Sequence, residues 1–198
     1  MDIKPHFAKN DLKMFRRYLN KATNYLEFGS GGSTIEVLKS NNIKSIYSIE
    51  NDITWYNRLT NIVKDNNLDN NKDFEFIYIP MKVKKNFWGH PTKQVSESVH
   101  RSYTDILYNL DMDKLLNFDL ILIDGRYRVA CLLKLYELIS DNCIILFDDF
   151  LNRDIYHIVL DYYTIIEKGL DNRMVVMVKK TALTVNKELI EEYELKYL

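Results

Sequence analysis

The chain has 198 residues, of which 46% are hydrophobic and 28% are charged, and both values are ordinary for a folded globular protein. A net charge of -1 argues against a broad electrostatic surface for nucleic acid or anionic lipid. The sequence has neither a signal-peptide core in 1–10 nor the ~18-residue apolar run of a membrane span. We therefore predict one domain over residues 1–198, located in the cytoplasm, with no nucleic-acid partner. The oligomeric state stays open.

Helix and strand patterns alternate through the first 80 residues, which is typical of a parallel sheet covered by helices on both faces. Ser33 or Thr34 is a suitable cap for one helix and Asp52 for the next, and Pro80 closes the last strand of this part. In chain order the predicted elements are a helix over 11–20, a strand over 24–28, a tight turn over 29–32, a helix to about 40, a strand over 45–49, a helix over 53–65 and a strand over 74–79.

The stretch 81–102 is polar and irregular, and a connection of that length in a compact domain is usually functional. We predict a lid or binding loop there. The short connection 168–172 leaves no room for a crossover helix, so the strands on either side of it should be antiparallel. The later predicted elements are a helix over 103–110, strands over 118–123 and 143–147 separated by a helix over 129–140, a helix over 153–160, strands over 162–167 and 173–178, and an amphipathic terminal helix over 186–198.

Three glycines stand between the first strand and the next helix, in the turn Gly29–Gly32. Glycine allows positive φ and close approach of a ligand, and the start of a helix offers unpaired N–H groups. Glu50 ends the second strand about 20 residues later, where a carboxylate can hold ribose hydroxyls. A turn of this kind could serve NAD, FAD or no ligand, so the alternative is a plain tight connection with a solvated Glu50.

The segment 26–32, Leu-Glu-Phe-Gly-Ser-Gly-Gly, resembles the first motif of class I S-adenosylmethionine (SAM)-dependent methyltransferases, and 46–50 resembles their second. The resemblance continues through 118–125, 143–149 and the closing strand pair. It implies a single-domain, Rossmann-like α/β fold with a mostly parallel seven-stranded sheet, an antiparallel last strand and helices on both faces. Pro80 and Met81 occupy the place of the family's usual adenine-binding acid, so no residue is assigned to the adenine. The resemblance implies SAM as cofactor, with its methionine part beside Glu27, Gly29, Ser30, Gly31 and Gly32, its ribose on Glu50 and its reactive end near Asp124.

Three carboxylates end the fourth and fifth predicted strands, namely Asp124, Asp148 and Asp149. Neighbouring strand tips could converge on one hard cation. The arrangement resembles the metal site of catechol-type and macrocin-type O-methyltransferases, which implies Mg²⁺ or another divalent cation as a second cofactor. Asp149 stands where the catechol-type enzymes have Asn, and Tyr127 where they have a catalytic lysine. A metal-free role, in helix capping or substrate binding, is the alternative.

The general base must then come from elsewhere, with His90 as first candidate and Asp124 as second. An exposed loop histidine is the alternative interpretation of His90. The rings of Trp88 and Tyr103 could stack on a sugar. Arginine suits carboxylate or phosphate groups, so Arg126 and Arg128 are candidates for substrate binding, unless they form ion pairs inside the protein.

The sequence therefore predicts a SAM-dependent O-methyltransferase, an enzyme of the EC 2.1.1 type. Its substrate is predicted to be a small molecule or a glycan, with a hydroxyl of a sugar or glycan as the leading acceptor. A small phenol and a protein side chain stay open as other acceptors. One rival is an NAD-dependent oxidoreductase that uses the same glycine turn. Another is a protein of methyltransferase fold that binds a ligand or a partner without catalysis. Cys131 and Cys143 are expected to be buried apolar residues.

Overall fold

A seven-stranded sheet organises residues 3–197, which are the residues that the computed structural model describes. The sheet has the order β3-β2-β1-β4-β5-β7-β6, and β7 alone runs antiparallel to its neighbours β5 and β6. The predicted fold class, including the reversed last strand, is confirmed. The strands are β1 Asn24–Phe28, β2 Ser45–Glu50, β3 Asp73–Tyr78, β4 Leu120–Ile123, β5 Ile144–Phe147, β6 Tyr163–Lys168 and β7 Val175–Lys179.

Helices cover both faces of this sheet, as predicted. Within residues 3–197 no helix combines the length and apolarity that crossing a membrane requires. The helices are α1 Lys9–Leu19, α2 Gly32–Leu38, α3 Ile53–Asp65, α4 Glu97–Asp105, α5 Met112–Asn117, α6 Arg128–Leu135 and α7 Lys187–Tyr193, with 3₁₀ helices at Ile106–Asn109 and Asp154–Asp161.

Several helix limits differ from the prediction. Helix α4 begins inside the predicted loop, α5 was not predicted, and the helix expected over 153–160 is a 3₁₀ helix. The terminal helix is shorter than expected, and Leu198, its predicted last residue, lies outside the described residues, as do Met1 and Asp2. Caps and short polar turns decide such limits, and apolar periodicity predicts them poorly.

Strand β4 shows why the centre of the sheet is continuously apolar. Ile121 and Ile123 pack into the core on one face of the sheet, and Leu120 and Leu122 pack into the core on the other. Successive side chains of a strand point to opposite faces, so a strand covered on both sides needs an apolar residue at every position. Strand β4 is therefore apolar along its whole length, and its polar neighbours Asp119 and Asp124 stand directly before and after it.

Asp119 holds together the N-terminal ends of β1 and β4. Its carboxylate accepts hydrogen bonds from the backbone N–H groups of Thr23, at 2.9 and 3.1 Å, and Asn24, at 3.1 Å. The two central strands are thereby fixed in register at the edge opposite the C-terminal strand ends.

We expect Asp119→Ala to lower the free energy of unfolding by about 1.5–3 kcal/mol, because backbone donors lose a charged acceptor. Chemical denaturation monitored by circular dichroism measures this change. Asp69→Ala, at an exposed position of the chain, is the control and should differ from the native protein by less than about 0.5 kcal/mol. Equal stability of the two variants would contradict the role of Asp119.

Candidate functional site

A cavity of about 1200 Å³ opens at the C-terminal ends of β1, β2, β4 and β5. Its walls also include the N-terminal segment Ile3–Phe7 and the loop that follows β3. Pockets for small ligands usually measure roughly 300–1,000 Å³. The cavity therefore has room for a cofactor together with a second molecule. It lies where open parallel sheets bind their ligands, beyond the carboxyl ends of the strands.

The three glycines of the turn after β1 serve different purposes. Gly29 has φ +89°, and a Cβ there would lie 2.6 Å from the backbone of Gly125, so this glycine allows two backbones to touch. A Cβ on Gly32 would lie 2.0 Å from the carbonyl carbon of Lys4. Gly31 is different, because a Cβ there would meet no atom within 4 Å. All three glycines line the cavity, and of the three only Gly31 has open space where a Cβ would lie.

Glu27 is not placed to contact a cofactor, which corrects the prediction for this residue. Its side chain is fully buried. Burial raises the pKa of Glu27, and hydrogen bonds to the ionised form oppose that rise. Each carboxylate oxygen is already occupied, since the donors are the hydroxyls of Tyr25, Ser33, Thr34 and Ser48. Glu27 therefore joins β1, β2 and the start of α2 beneath the glycine turn.

Glu50 lies at the cavity wall, as the sequence predicts, and is 5% exposed. One oxygen accepts from the backbone N–H groups of Asn51 and Asp52, both at 2.8 Å. The other accepts from the N–H of Ser30 at 3.2 Å and its hydroxyl at 2.8 Å. Burial raises the pKa of Glu50 to about 7. The carboxylate thus links the tip of β2 to the glycine turn.

Trp55 and Asn51 also belong to this wall, although the sequence did not predict them as site residues. The indole Nε1 of Trp55 donates to the carbonyl oxygen of Ser30 at 2.8 Å. The Nδ2 of Asn51 donates to the carbonyl oxygen of Gly89 at 2.8 Å and so ties the loop after β3 to the tip of β2. The position of Asn51 directly after Glu50 was a usable signal, whereas Trp55 fell inside the helix predicted over 53–65 without any signal of a site.

Asp124 and Arg128 form a pair at the tip of β4. The Nη2 of Arg128 donates to the carboxylate of Asp124 at 3.1 Å and to its carbonyl oxygen at 3.0 Å. Arg128 also donates to the carbonyl oxygens of Gly125 and Asp148. Its donors are used within the protein, which corrects the prediction that Arg128 binds substrate. Burial raises the pKa of Asp124 to about 8, although Arg128 opposes the rise.

The predicted metal site is not formed by Asp124, Asp148 and Asp149. Among residues 3–197 no group of three or more His, Cys, Asp or Glu side chains is arranged to hold a metal ion. One buried oxygen of Asp148, Oδ1, has no hydrogen-bond partner there, but a single oxygen is not a ligand set.

Arginines occupy the place that a cation would take beside Asp149. Arg153 donates to Asp149 Oδ2 at 2.8 Å, and Arg173 donates to Oδ1 through Nε at 2.9 Å. Burial alone would raise the pKa of Asp149, but Arg128, Arg153 and Arg173 hold it below its ordinary value. The guanidinium groups already neutralise this carboxylate, so the donor set does not fit the divalent cation implied by the resemblance.

His90 lines the cavity, but its imidazole is engaged. Its Nε2 accepts a hydrogen bond from Nη1 of Arg126 at 2.8 Å. Burial and the nearby charges of Arg126 and Lys84 lower the pKa of His90 to about 4. A neutral imidazole has one lone pair for a proton, and here Arg126 uses it. His90 therefore fits the base role only if this hydrogen bond breaks, and the role stays an untested prediction.

The two aromatic residues predicted to stack on a sugar have opposite environments. Trp88 is 72% exposed at the cavity wall, and its ring lies 5.2 Å from that of His6. Tyr103 is fully buried, with its ring 5.9 Å from Phe28 and 5.3 Å from Tyr127. The stacking role predicted for Tyr103 is therefore wrong, because its ring has no surface left for a ligand.

No family model matches the sequence, and no curated protein matches it either. Solved structures do resemble it. A methyltransferase-like protein from Silicibacter pomeroyi DSS-3 superposes with a TM-score of 0.84 at 20% identity, covering 99% of this chain and 98% of that one. The fold is that of class I methyltransferases.

Two further structures of this fold were solved with S-adenosylhomocysteine. An O-methyltransferase from Bacillus cereus has a TM-score of 0.57 at 16% identity, over 89% of this chain and 84% of that one. An RNA methyltransferase from Salinibacter ruber has a TM-score of 0.52 at 13% identity, over 92% and 99%. At such identities the likeness establishes the class I methyltransferase fold and leaves the chemistry to the site.

The hydrogen bond between Arg126 and His90 can be tested by titration. Replacing Arg126 with Gln removes a positive charge that disfavours the imidazolium, so the pKa of His90 should rise from about 4 while burial still holds it below its ordinary value. NMR of the imidazole resonances across pH measures it. His100, whose pKa is lowered chiefly by burial and not by Arg126, is the internal control. An unchanged pKa of His90 would contradict the contact.

Proposed function

We propose that this protein is a SAM-dependent O-methyltransferase whose acceptor is a hydroxyl of a sugar or glycan. The observation that carries the proposal is the shared cavity, in which Gly31 and Glu50 stand beside each other at the C-terminal edge of a methyltransferase-type sheet. Open space at Gly31 suits the methionine part of the cofactor, and a carboxylate at the next strand tip suits ribose hydroxyls. A cytoplasmic location, predicted from the sequence, belongs to the same proposal.

SAM, when bound, supplies an electrophilic methyl group. The residues of the chain bind and orient the reactants around it. Glu50 shares one oxygen with the Ser30 hydroxyl, and that hydroxyl can rotate away so that a ribose hydroxyl donates to the carboxylate instead. The N–H groups of Asn51 and Asp52 keep the carboxylate in place during the exchange.

Asp124 is the better placed of the two candidate bases. Its side chain is 30% exposed at the cavity wall, and its raised pKa, about 8, suits proton transfer near neutral pH. The hydrogen bond from Arg128 orients this carboxylate. On the acceptor side, the exposed ring of Trp88 offers a face to a pyranose. This arrangement supports deprotonation of an acceptor hydroxyl between Trp88 and the tip of β4.

The rival use of the glycine turn, by NAD in an oxidoreductase, is disfavoured by the antiparallel β7. Dinucleotide-binding sheets of the Rossmann type are parallel and built from two similar halves, whereas β7 inserts antiparallel between β5 and β6. Calorimetric titration with SAM, S-adenosylhomocysteine and NAD separates the two functions, and a methyl-transfer assay on the bound acceptor then separates an enzyme from a binding protein.

In that titration S-adenosylhomocysteine should bind and NAD should not. Gly31→Val should weaken S-adenosylhomocysteine binding by at least about tenfold, because the added side chain enters open space at the cavity wall. It should fold normally, since a Cβ at this position meets no atom within 4 Å. Thr184→Val introduces valine at an exposed position far from the turn in sequence and is the control. Full affinity in folded Gly31→Val would refute a cofactor at the turn.

Glu50→Gln should weaken S-adenosylhomocysteine binding by about 1–2 kcal/mol, which is about 5–30-fold, because hydrogen bonds from ribose hydroxyls to a charged acceptor are lost. Glu36→Gln removes the same charge from α2, where Glu36 pairs with Arg16, and should bind normally. Isothermal titration measures both variants after thermal unfolding has confirmed that they fold. The assignment of Glu50 fails if the two variants bind equally well.

A further inference from the structure

The cavity is more basic than the protein that contains it. Eight lysine and arginine side chains and five carboxylates line it, although the whole chain has a net charge of -1. The excess of positive charge is therefore a local feature, and Lys4 and Lys85 contribute to it at the walls. A concave site with one sign of charge attracts ligands of the opposite sign.

Arginines concentrate at the tips of β4 and β5, and within residues 3–197 three of the four have a carboxylate partner. Arg128 binds Asp124, while Arg153 and Arg173 bind Asp149. Asp148 lies 3.5 Å from Arg173, so three carboxylates face these three guanidinium groups. Arg126, the fourth, is bound instead to a neutral group, the imidazole of His90.

Arg126 is nevertheless held firmly at the cavity wall. It is 6% exposed, and within residues 3–197 its buried Nε has no hydrogen-bond partner. Burial and the adjacent Arg128 lower its pKa, although the charge of Asp124 opposes this, as expected for a buried cation that has no carboxylate at ion-pair distance among residues 3–197. The hydrogen bond to His90 fixes the guanidinium without neutralising it. A guanidinium prepared in this way has both charge and donor capacity left for a ligand.

We propose that Arg126 anchors a carboxylate or phosphate group of the acceptor. The inference rests on the proposed function, because the acceptor must lie beside Asp124, two residues away in the same wall. An anionic group supplies a negative charge next to the guanidinium group of Arg126. His90 is the positioning residue, because its hydrogen bond fixes the orientation of that guanidinium group. The substrate class is then an anionic hydroxyl compound, for instance a sugar that carries an acid or a phosphate ester.

A cofactor carboxylate is the competing ligand for Arg126, and the experiment separates the two. The protein is first saturated with S-adenosylhomocysteine, and inorganic phosphate and acetate are then titrated in separate arms, with NMR of the His90 imidazole as the readout. Saturable binding of phosphate alone identifies a phosphate ester, and saturable binding of acetate alone identifies a carboxylate.

The anion should bind Arg126→Gln at least about tenfold more weakly than the native protein, since a charged bidentate donor is lost. Lys85→Gln removes the same charge from another part of the wall and should lose less than about threefold, because exposed charges contribute little. Equal losses in the two variants, or no saturable binding by the loaded protein, would overturn the proposal. So would a matching loss of S-adenosylhomocysteine affinity in Arg126→Gln, which would assign Arg126 to the cofactor.

Failure of the proposed function would look different. If the native protein does not bind S-adenosylhomocysteine, the cofactor assignment fails. The phosphate and acetate titrations of the unloaded protein then decide the anion site by themselves, through the same comparison of Arg126→Gln with Lys85→Gln.

Discussion

The close contact between the turns after β1 and β4 determines where this protein can bind anything. A Cβ on Gly29 would lie 2.6 Å from Gly125, and a Cβ on Gly125 would lie 2.7 Å from the nitrogen of Gly29. The two central strands therefore end side by side, with their turns in backbone contact. Because both strands are buried on both faces, their chemistry is concentrated at these ends. In the function that we propose, the cofactor lies toward β2 and the acceptor lies toward β5.

At the tip of β5, guanidinium groups balance the charge of Asp149, and this bears on two chemistries predicted for the strand tips. Asp149 accepts from Arg153 and Arg173, so its negative charge is not available to a divalent cation. A metal would have to displace two guanidinium groups to bind there. Among residues 3–197, the same arrangement leaves Arg126 with no carboxylate at ion-pair distance. One network therefore explains the poor fit of a metal, and it supports the anionic acceptor that we propose.

Local patterns predicted the sheet well, because each strand has a simple signal. The apolar run before Asp124 and the position of Glu50 at the end of β2 placed both residues at the cavity wall. The residue roles that failed depend on contacts that are distant in sequence. Arg173 meets Asp149 across 24 positions, and Tyr103 is buried because α4 begins at Glu97 and turns that face inward. The cofactor contact predicted for Glu27 is wrong because the pattern of a strand does not reveal that four hydroxyl groups surround this carboxylate.

Contacts between residues that are distant in sequence also shape the opening of the cavity. Lys4 occupies the space that a side chain at Gly32 would need, so the N-terminal segment Ile3–Phe7 crosses the start of α2 at the cavity wall. Gly89 has φ +70° and binds Asn51 through its carbonyl oxygen, which anchors the loop after β3. Trp88, next to this anchor, remains 72% exposed. The backbone next to Trp88 is thus tied to the tip of β2. If Trp88 contacts the acceptor as we propose, its exposed side chain is the part of this wall that can adjust.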